Sequence, residues 1–220
     1  MARHAVTRLS KSSGTEKRVT SGGRRVETGH SLPAHLPPAV EAAVYREVNL
    51  AIEAVGIQHG ASHTEVIVDE RGRCTVIEIA ARLAAGHIGL LIQHALGMDV
   101  FTALLDVALG HPAALAPTAG GYAAVRFITS PHAGRLTSVT GLPTTGPGVP
   151  FVRWRTPTGA PVHAAGANAH RLGAFVVTGP DPAEVQERAD RMCRQVRLHV
   201  EPPPGALDQV RSASTARIAE

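Results

Sequence analysis

Aromatic side chains are nearly missing from this chain: Trp, Tyr and Phe make up 3% of its 220 residues. A core without them must be built from Val, Leu, Ile and Ala, which suits a layered α/β or α+β domain. Platforms for stacking the bases of single-stranded nucleic acid are also lacking. The net charge of +4 therefore does not indicate a nucleic-acid partner, and 20 of the 22 basic residues are arginines spread along the chain. Only two cysteines occur, Cys74 and Cys193. They are too few and too far apart for a disulfide framework, and fit small buried hydrophobes in a reducing, cytoplasmic setting. There is no run of eighteen apolar residues and no apolar segment at the N-terminus. Neither a membrane span nor an export signal is expected. Of the 12 histidines, His59 and His63 are four apart, but the break at Gly60 denies them one helix; no H-E-x-x-H occurs and the two cysteines are far apart, which argues against zinc. A G-x-x-x-x-G-K-[ST] phosphate loop and a nucleophile elbow are absent as well.

What the chain does have is a stretch from His63 to Ile88 that reads HTEVIV, DERGR and CTVIEIAARLAAGHI. Two apolar runs around a polar break containing Gly72 read as a β-hairpin over residues 61–79. Centring the turn between Arg71 and Gly72 pairs Asp69 with Cys74 and Glu65 with Glu78. Like charges directly opposite destabilise a ladder, and Ile67 and Val76 on the same face would desolvate them. One glutamate should then have a raised pKa. A cation between them relieves the repulsion. Mg²⁺ suits two carboxylates because water and phosphate oxygens complete its shell. Two solvated surface glutamates would have the same spacing. The opposite face (Thr64, Val66, Val68, Thr75, Ile77, Ile79) is apolar too, which predicts burial on both sides. Arg82 follows four residues after Glu78 and could meet phosphate oxygens bidentately. Gly86 then opens an apolar helix.

Along the rest of the chain, residues 1–23 lack periodicity and read as a loose or disordered lead-in. Residues 24–30 suggest a short strand carrying Glu27 and His30. Helical periodicity runs from Pro38 to Val55, with Val40, Val44, Val48, Ala51 or Ile52, and Val55 inward. Two further helices are expected over 87–96 and 100–109, stopped at Gly97 and Gly110, the second capped by Asp99. The Pro- and Gly-rich stretch 111–121 reads as a linker and domain boundary. Short strands should follow at 122–130, 134–141, 150–154 and 173–179. A helix over 181–195 with Val185, Ala189, Met192 and Cys193 inward comes next, then an edge strand at 196–200. The tail 201–220 should fray.

The hairpin and the loop after it resemble the metal-binding hairpin of ATP-grasp carboxylate–amine ligases, in the branch containing L-amino-acid ligases. TEKRVTSGGRRVETGHSLPA is similar to the segment before the last helix of that domain, and AHRLGAFVVTGPDPAEVQERADR to the end of the C-terminal domain. The resemblance runs from about Thr15 to Val200. It implies an α+β fold with three parts. Residues 24–111 would be the C-terminal part of an ATP-grasp domain, 121–200 a small β-rich C-terminal domain, and 201–220 a tail. By position, it implies Glu65 and Glu78 as Mg²⁺ (or Mn²⁺) ligands, Arg82 and Gly86 at the ATP phosphates, and Glu27 and His30 beside an amino-acid substrate. Ala80 stands where the family often has a further metal ligand, Asn. Ala85 stands where a glycine approaches the phosphoryl group. The upstream lysines and Gly-rich loop that clamp the nucleotide are not matched, since the only lysines are Lys11 and Lys17. The expected activity is ATP-dependent joining of a carboxylate to an amine, completed by a separate N-terminal ATP-grasp polypeptide or by lost upstream sequence; self-association or dependence on a partner is expected as well. The alternative is an inactive remnant that binds a small molecule or a partner.

Overall fold

The computed structural model describes residues 2–8, 13–20 and 26–203, so the 201–220 tail falls mostly outside them. It is an α+β structure built on an eight-stranded sheet ordered β5-β4-β1-β2-β3-β6-β10-β8. In chain order the elements begin with β1 (Ala2–Arg8), β2 (Ser13–Val19) and β3 (Glu27–Leu32), then α1 (Pro38–Ala54). The hairpin is β4 (Ser62–Val68) and β5 (Cys74–Ala80), followed by α2 (Ile88–Leu96) and α3 (Val100–Ala108). Then come β6 (Tyr122–Thr129), β7 (Gly134–Thr140), β8 (Phe151–Trp154) and β9 (Pro161–Val162). β10 (Arg171–Gly179), α4 (Pro182–Gln195) and β11 (Arg197–Glu201) close the chain. β7, β9 and β11 make a second, three-stranded sheet. Every pairing between these strands is antiparallel.

Alternation along β6 and β10 shows how the layers form. Ala123, Val125, Phe127, Ala174 and Val176 pack with Ile88, Leu91, Ile92 and Ala95 of α2 on one face. Their in-between neighbours Ala124, Ile128, Phe175 and Val177 pack with Val185 and Ala189 of α4 on the other. Both strands are thus buried on both faces, as period-two geometry requires of a sheet covered twice. At the far end, Val66 and Val68 of β4 pack on Val44, Val48 and Ile52 of α1. Val55, expected inward, is 58% exposed because it lies past the last helical residue. The helix punctuation is as expected. The Asp99 carboxylate accepts from the Phe101 and Thr102 amides, and Gly97 has φ +65°.

The structure corrects four expectations. The loose lead-in instead contains β1 and β2, and β1 sits in mid-sheet, bonded to β2 and β4. Its polar sequence has no strand periodicity; pairing on both sides supplies what propensity does not. The linker does not begin a separate layer: β6 pairs with β3, so one sheet continues across it. The hairpin is not covered on both sides, since β5 is the sheet edge and Thr75, Ile77 and Glu78 are exposed. Val76 packs with the α1 cluster rather than beside the glutamates.

That last change follows from two offsets that cancel. Asp69 Oδ1 accepts from the Arg71 and Arg73 amides at 2.9 Å, and Gly72 has φ +76°. This tight turn pairs Val68, not Asp69, with Cys74. A bulge then puts Ile77 in excess on β5, and the register returns with Glu65 opposite Glu78. The glutamate pairing is the one expected, reached by a different path.

Candidate functional site

β2, β3, β4 and the α2 entrance bring one set of polar side chains to the sheet face that carries α2. Lys17 pairs with His30 across β2 and β3, and His30 pairs with Val125 of the α2 core. Glu27 lies three residues before His30, which in a regular strand would put it on the opposite face. A bulge at Thr28, between the Arg18–Gly29 and Val19–Glu27 pairs, turns it to the same side. Bulges recur beside active sites because they re-aim side chains. Two of them shape this site, one on β3 and one on β5.

The resulting cavity, about 370 Å³, is lined by Lys17, Glu27, His30, Glu65, Glu78 and Arg82 together with His63, Gly86 and Arg171. The six side chains or glycines expected to act from sequence alone, Glu27, His30, Glu65, Glu78, Arg82 and Gly86, all line it. Sequence reasoning missed Lys17, Arg171 and His63. Lys17 is buried and bonds to Glu65, and lies 2.8 Å from Glu27 Oε1. Its only sequence signal was its place in the TEKRV segment. Arg171 bonds Glu27 Oε2 at 2.6 Å, and its guanidinium lies 3.6 Å above the Phe127 ring. Arg82 is exposed at the rim and donates to the Leu83 carbonyl at 3.0 Å.

Charge balance departs from the expected repulsion. His63 lies 3.7 Å from Glu65 Oε1. His63, and with it Lys17, outweighs the cost of burial and brings Glu65 down to about 2. The carboxylate is therefore ionised and stabilised, not raised by Glu78. Burial pushes Glu27 up, but Lys17 and Arg171 more than offset it, so it too sits below the usual range. Burial lowers His30 to about 4, against the pull of Glu27 3.8 Å away. The imidazole is neutral at physiological pH, and its buried Nδ1 has no partner.

Gly86 fits this packing because of His30. Gly86 has φ +66°, and a Cβ there would come within 2.7 Å of His30 Nε2. The next residue, His87, also has positive φ (63°) and caps α2. Two left-handed residues in succession lead into α2, whose first residue, Ile88, lines the cavity; the positive end of a helix dipole favours an anion.

Among the described residues, no group of three or more His, Cys, Asp or Glu could hold a metal. Glu65 and Glu78 supply a two-carboxylate edge. That donor set fits Mg²⁺, which keeps waters or phosphate oxygens in its remaining positions.

Comparison with known proteins finds relatives of part of the sequence and of the fold. Residues 126–201 match the family described as L-amino acid ligase C-terminal domain 2. The alanine–anticapsin ligase of Bacillus subtilis is 32% identical over 81 residues, which are 37% of this chain and 17% of that protein. Phosphoribosylglycinamide synthetase from Anaerococcus prevotii superposes with a TM-score of 0.80 at 12% identity, covering 90% of this chain and 53% of that one. The L-amino acid ligase of Bacillus licheniformis gives 0.79 at 20% identity, covering 91% and 52%. The biotin carboxylase domain of Hydrogenobacter thermophilus 2-oxoglutarate carboxylase, solved with MgADP and bicarbonate, gives 0.68 at 16%, covering 90% and 46%. The chain thus spans about half the length of these solved structures. No single helix among the described residues is long and apolar enough to cross a membrane.

Proposed function

We propose that this chain, which belongs to the ATP-grasp ligase family, forms the metal- and acceptor-binding half of an ATP- and Mg²⁺-dependent carboxylate–amine ligase acting in the cytoplasm. The observation that carries this reading is the direct opposition of Glu65 and Glu78 beside Arg82 and the start of α2 in one cavity. Mg²⁺ held by the two glutamates would neutralise phosphate oxygens. Arg82 and the first amides of α2 would meet charge developing on the transferred phosphoryl group. The substrate carboxylate would become an acyl phosphate, which an amine then attacks with loss of phosphate. Glu27, ionised by its two cationic partners, would hold the incoming amine, and neutral His30 would pack beside it without competing for its charge. The half of the fold that the relatives add would clamp the nucleotide, on the same polypeptide, a separate one or a second copy.

A second reading, a binding module without catalysis, is favoured by one contact: Lys17 already balances Glu65. Thermal unfolding with and without MgATP separates the two. Under the ligase reading, MgATP raises the melting temperature of the wild-type chain and Glu78→Gln abolishes most of that rise. Lys17→Met then responds more strongly than wild type, because the metal replaces a lost positive charge. Equal responses in wild type and Glu78→Gln reject the metal site and leave the binding-module reading.

A further inference from the structure

Beside the carboxylate cavity lies a larger one of about 610 Å³, and Gly86, Asn168 and Arg171 line both. Its size is within the range of roughly 300–1,000 Å³ usual for small-molecule sites. Its polar wall comes from the segment VRWR. Val152 and Trp154 turn to the α4 core. Period-two alternation therefore sends Arg153 and Arg155 to the opposite face, where both line the cavity with Arg171. Arg153 pairs with Ala174 of the α2 core, which confirms the face. Phe127 and His87 form the apolar wall, with His87 also 4.9 Å from the Phe151 ring.

This compartment has more positive charge than it balances. Of its three arginines only Arg171 has a carboxylate partner among the described residues, Glu27, whereas neither Arg153 nor Arg155 is in an ion pair with one. Arg171 also buries its Nε without a partner. The field is felt at His87, which burial first, and then Arg153, Arg171 and Arg155, hold below its ordinary pKa. Guanidiniums present planar forks matched to carboxylates, so a cavity walled by three of them and an aromatic ring fits an acidic molecule of amino-acid size.

We propose that Arg153 and Arg155, with Arg171, recognise a second carboxylate on the substrate, so that the chain selects a dicarboxylic amino acid such as glutamate over its neutral amide. The inference rests on the ligase reading for the role of the adjoining cavity. The arginine compartment would bind the acid even where no chemistry follows.

Isothermal titration of the whole chain with L-glutamate, L-glutamine and inorganic phosphate tests this. Glutamate should bind at least about tenfold tighter than glutamine. Arg153→Gln combined with Arg155→Gln, both at exposed positions and so compatible with folding, should bring that ratio to about one. Equal affinity for the two amino acids, no binding of either, or a preference that survives the double substitution overturns the proposal. So does inorganic phosphate binding as tightly as glutamate, which would make the compartment a phosphate site. The magnesium response of Glu78→Gln separates the two readings. A metal response without glutamate preference sinks only this inference, whereas glutamate preference without a metal response sinks only the ligase reading.

Discussion

Lys17 and His30 show how single residues set the site's chemistry. Lys17 puts one ammonium between two carboxylates of different expected duties, Glu65 for metal and Glu27 for amine. His30 is kept uncharged by burial. Both His30 (6.5 to about 4) and Glu65 (4.5 to about 2) have folded values below their unfolded ones. The folded state therefore binds fewer protons, and stability is complete only above the unfolded values. It should fall as pH drops from 6.5 toward 4 while unfolded His30 takes up a proton, and again from 4.5 toward 2 for Glu65. Each group contributes on the order of 3 kcal/mol. His87, also lowered, adds to the first limb. In urea titrations, His30→Gln should flatten stability between pH 6.5 and 4.5 without abolishing the slope. An unchanged slope would show that His30 is not the neutral buried group described. None of this was legible in the sequence. Lys17 stands among polar residues without alternation, and nothing local announces a burial that comes from the strands on either side.

At the scale of elements, the helices and the hairpin were readable because their signals are local. Proline at the start of α1, the Asp99 cap and glycines at positive φ each act within a turn or two. The two bulges were not readable, since a bulge answers to the partner strand. Yet the Thr28 bulge puts Glu27 beside His30, and the Ile77 bulge restores the Glu65–Glu78 pairing. Gly86 joins α2 to this arrangement through its close approach to His30. Gly86→Ala should cost roughly 1–2 kcal/mol for the left-handed backbone alone, plus the displacement of the His30 ring. In Gly86→Ala combined with His30→Ala the steric part disappears, so the losses should not add. Additive losses in chemical denaturation would mean that the two residues are independent.

For the whole molecule, the residues singled out by the family resemblance line one cavity, and one sheet runs across the stretch read as a domain boundary. β6, β10 and β8 extend the layer begun by β1–β5. Composition shifts at the Pro- and Gly-rich stretch, while hydrogen bonding passes through β3 and β6 without regard to it. Among the described residues, large apolar side chains are exposed at Ile77 on β5 and, on α3 and just past its end, at Phe101, Leu105 and Leu109 (49%, 64% and 68%).

The strand order has a temporal side. Of the described strands, the first three in chain order, β1–β3, lie side by side inside the sheet. As synthesis proceeds from the N-terminus, β4 and β5 add to one flank and β6, β10 and β8 to the other. A nascent chain can thus seed its sheet from the middle and widen it both ways, never having to open a finished layer to admit a late strand. The same order makes β1, which joins β2 to β4, a keystone. Without residues 2–8, β4 and β5 have no neighbour joining them to the remainder, while β3, β6 and β10 keep their pairings. Hydrogen exchange of a chain lacking those residues should show protection lost in β4 and β5 but kept in β6 and β10. Uniform loss would mean that the two flanks rise and fall together.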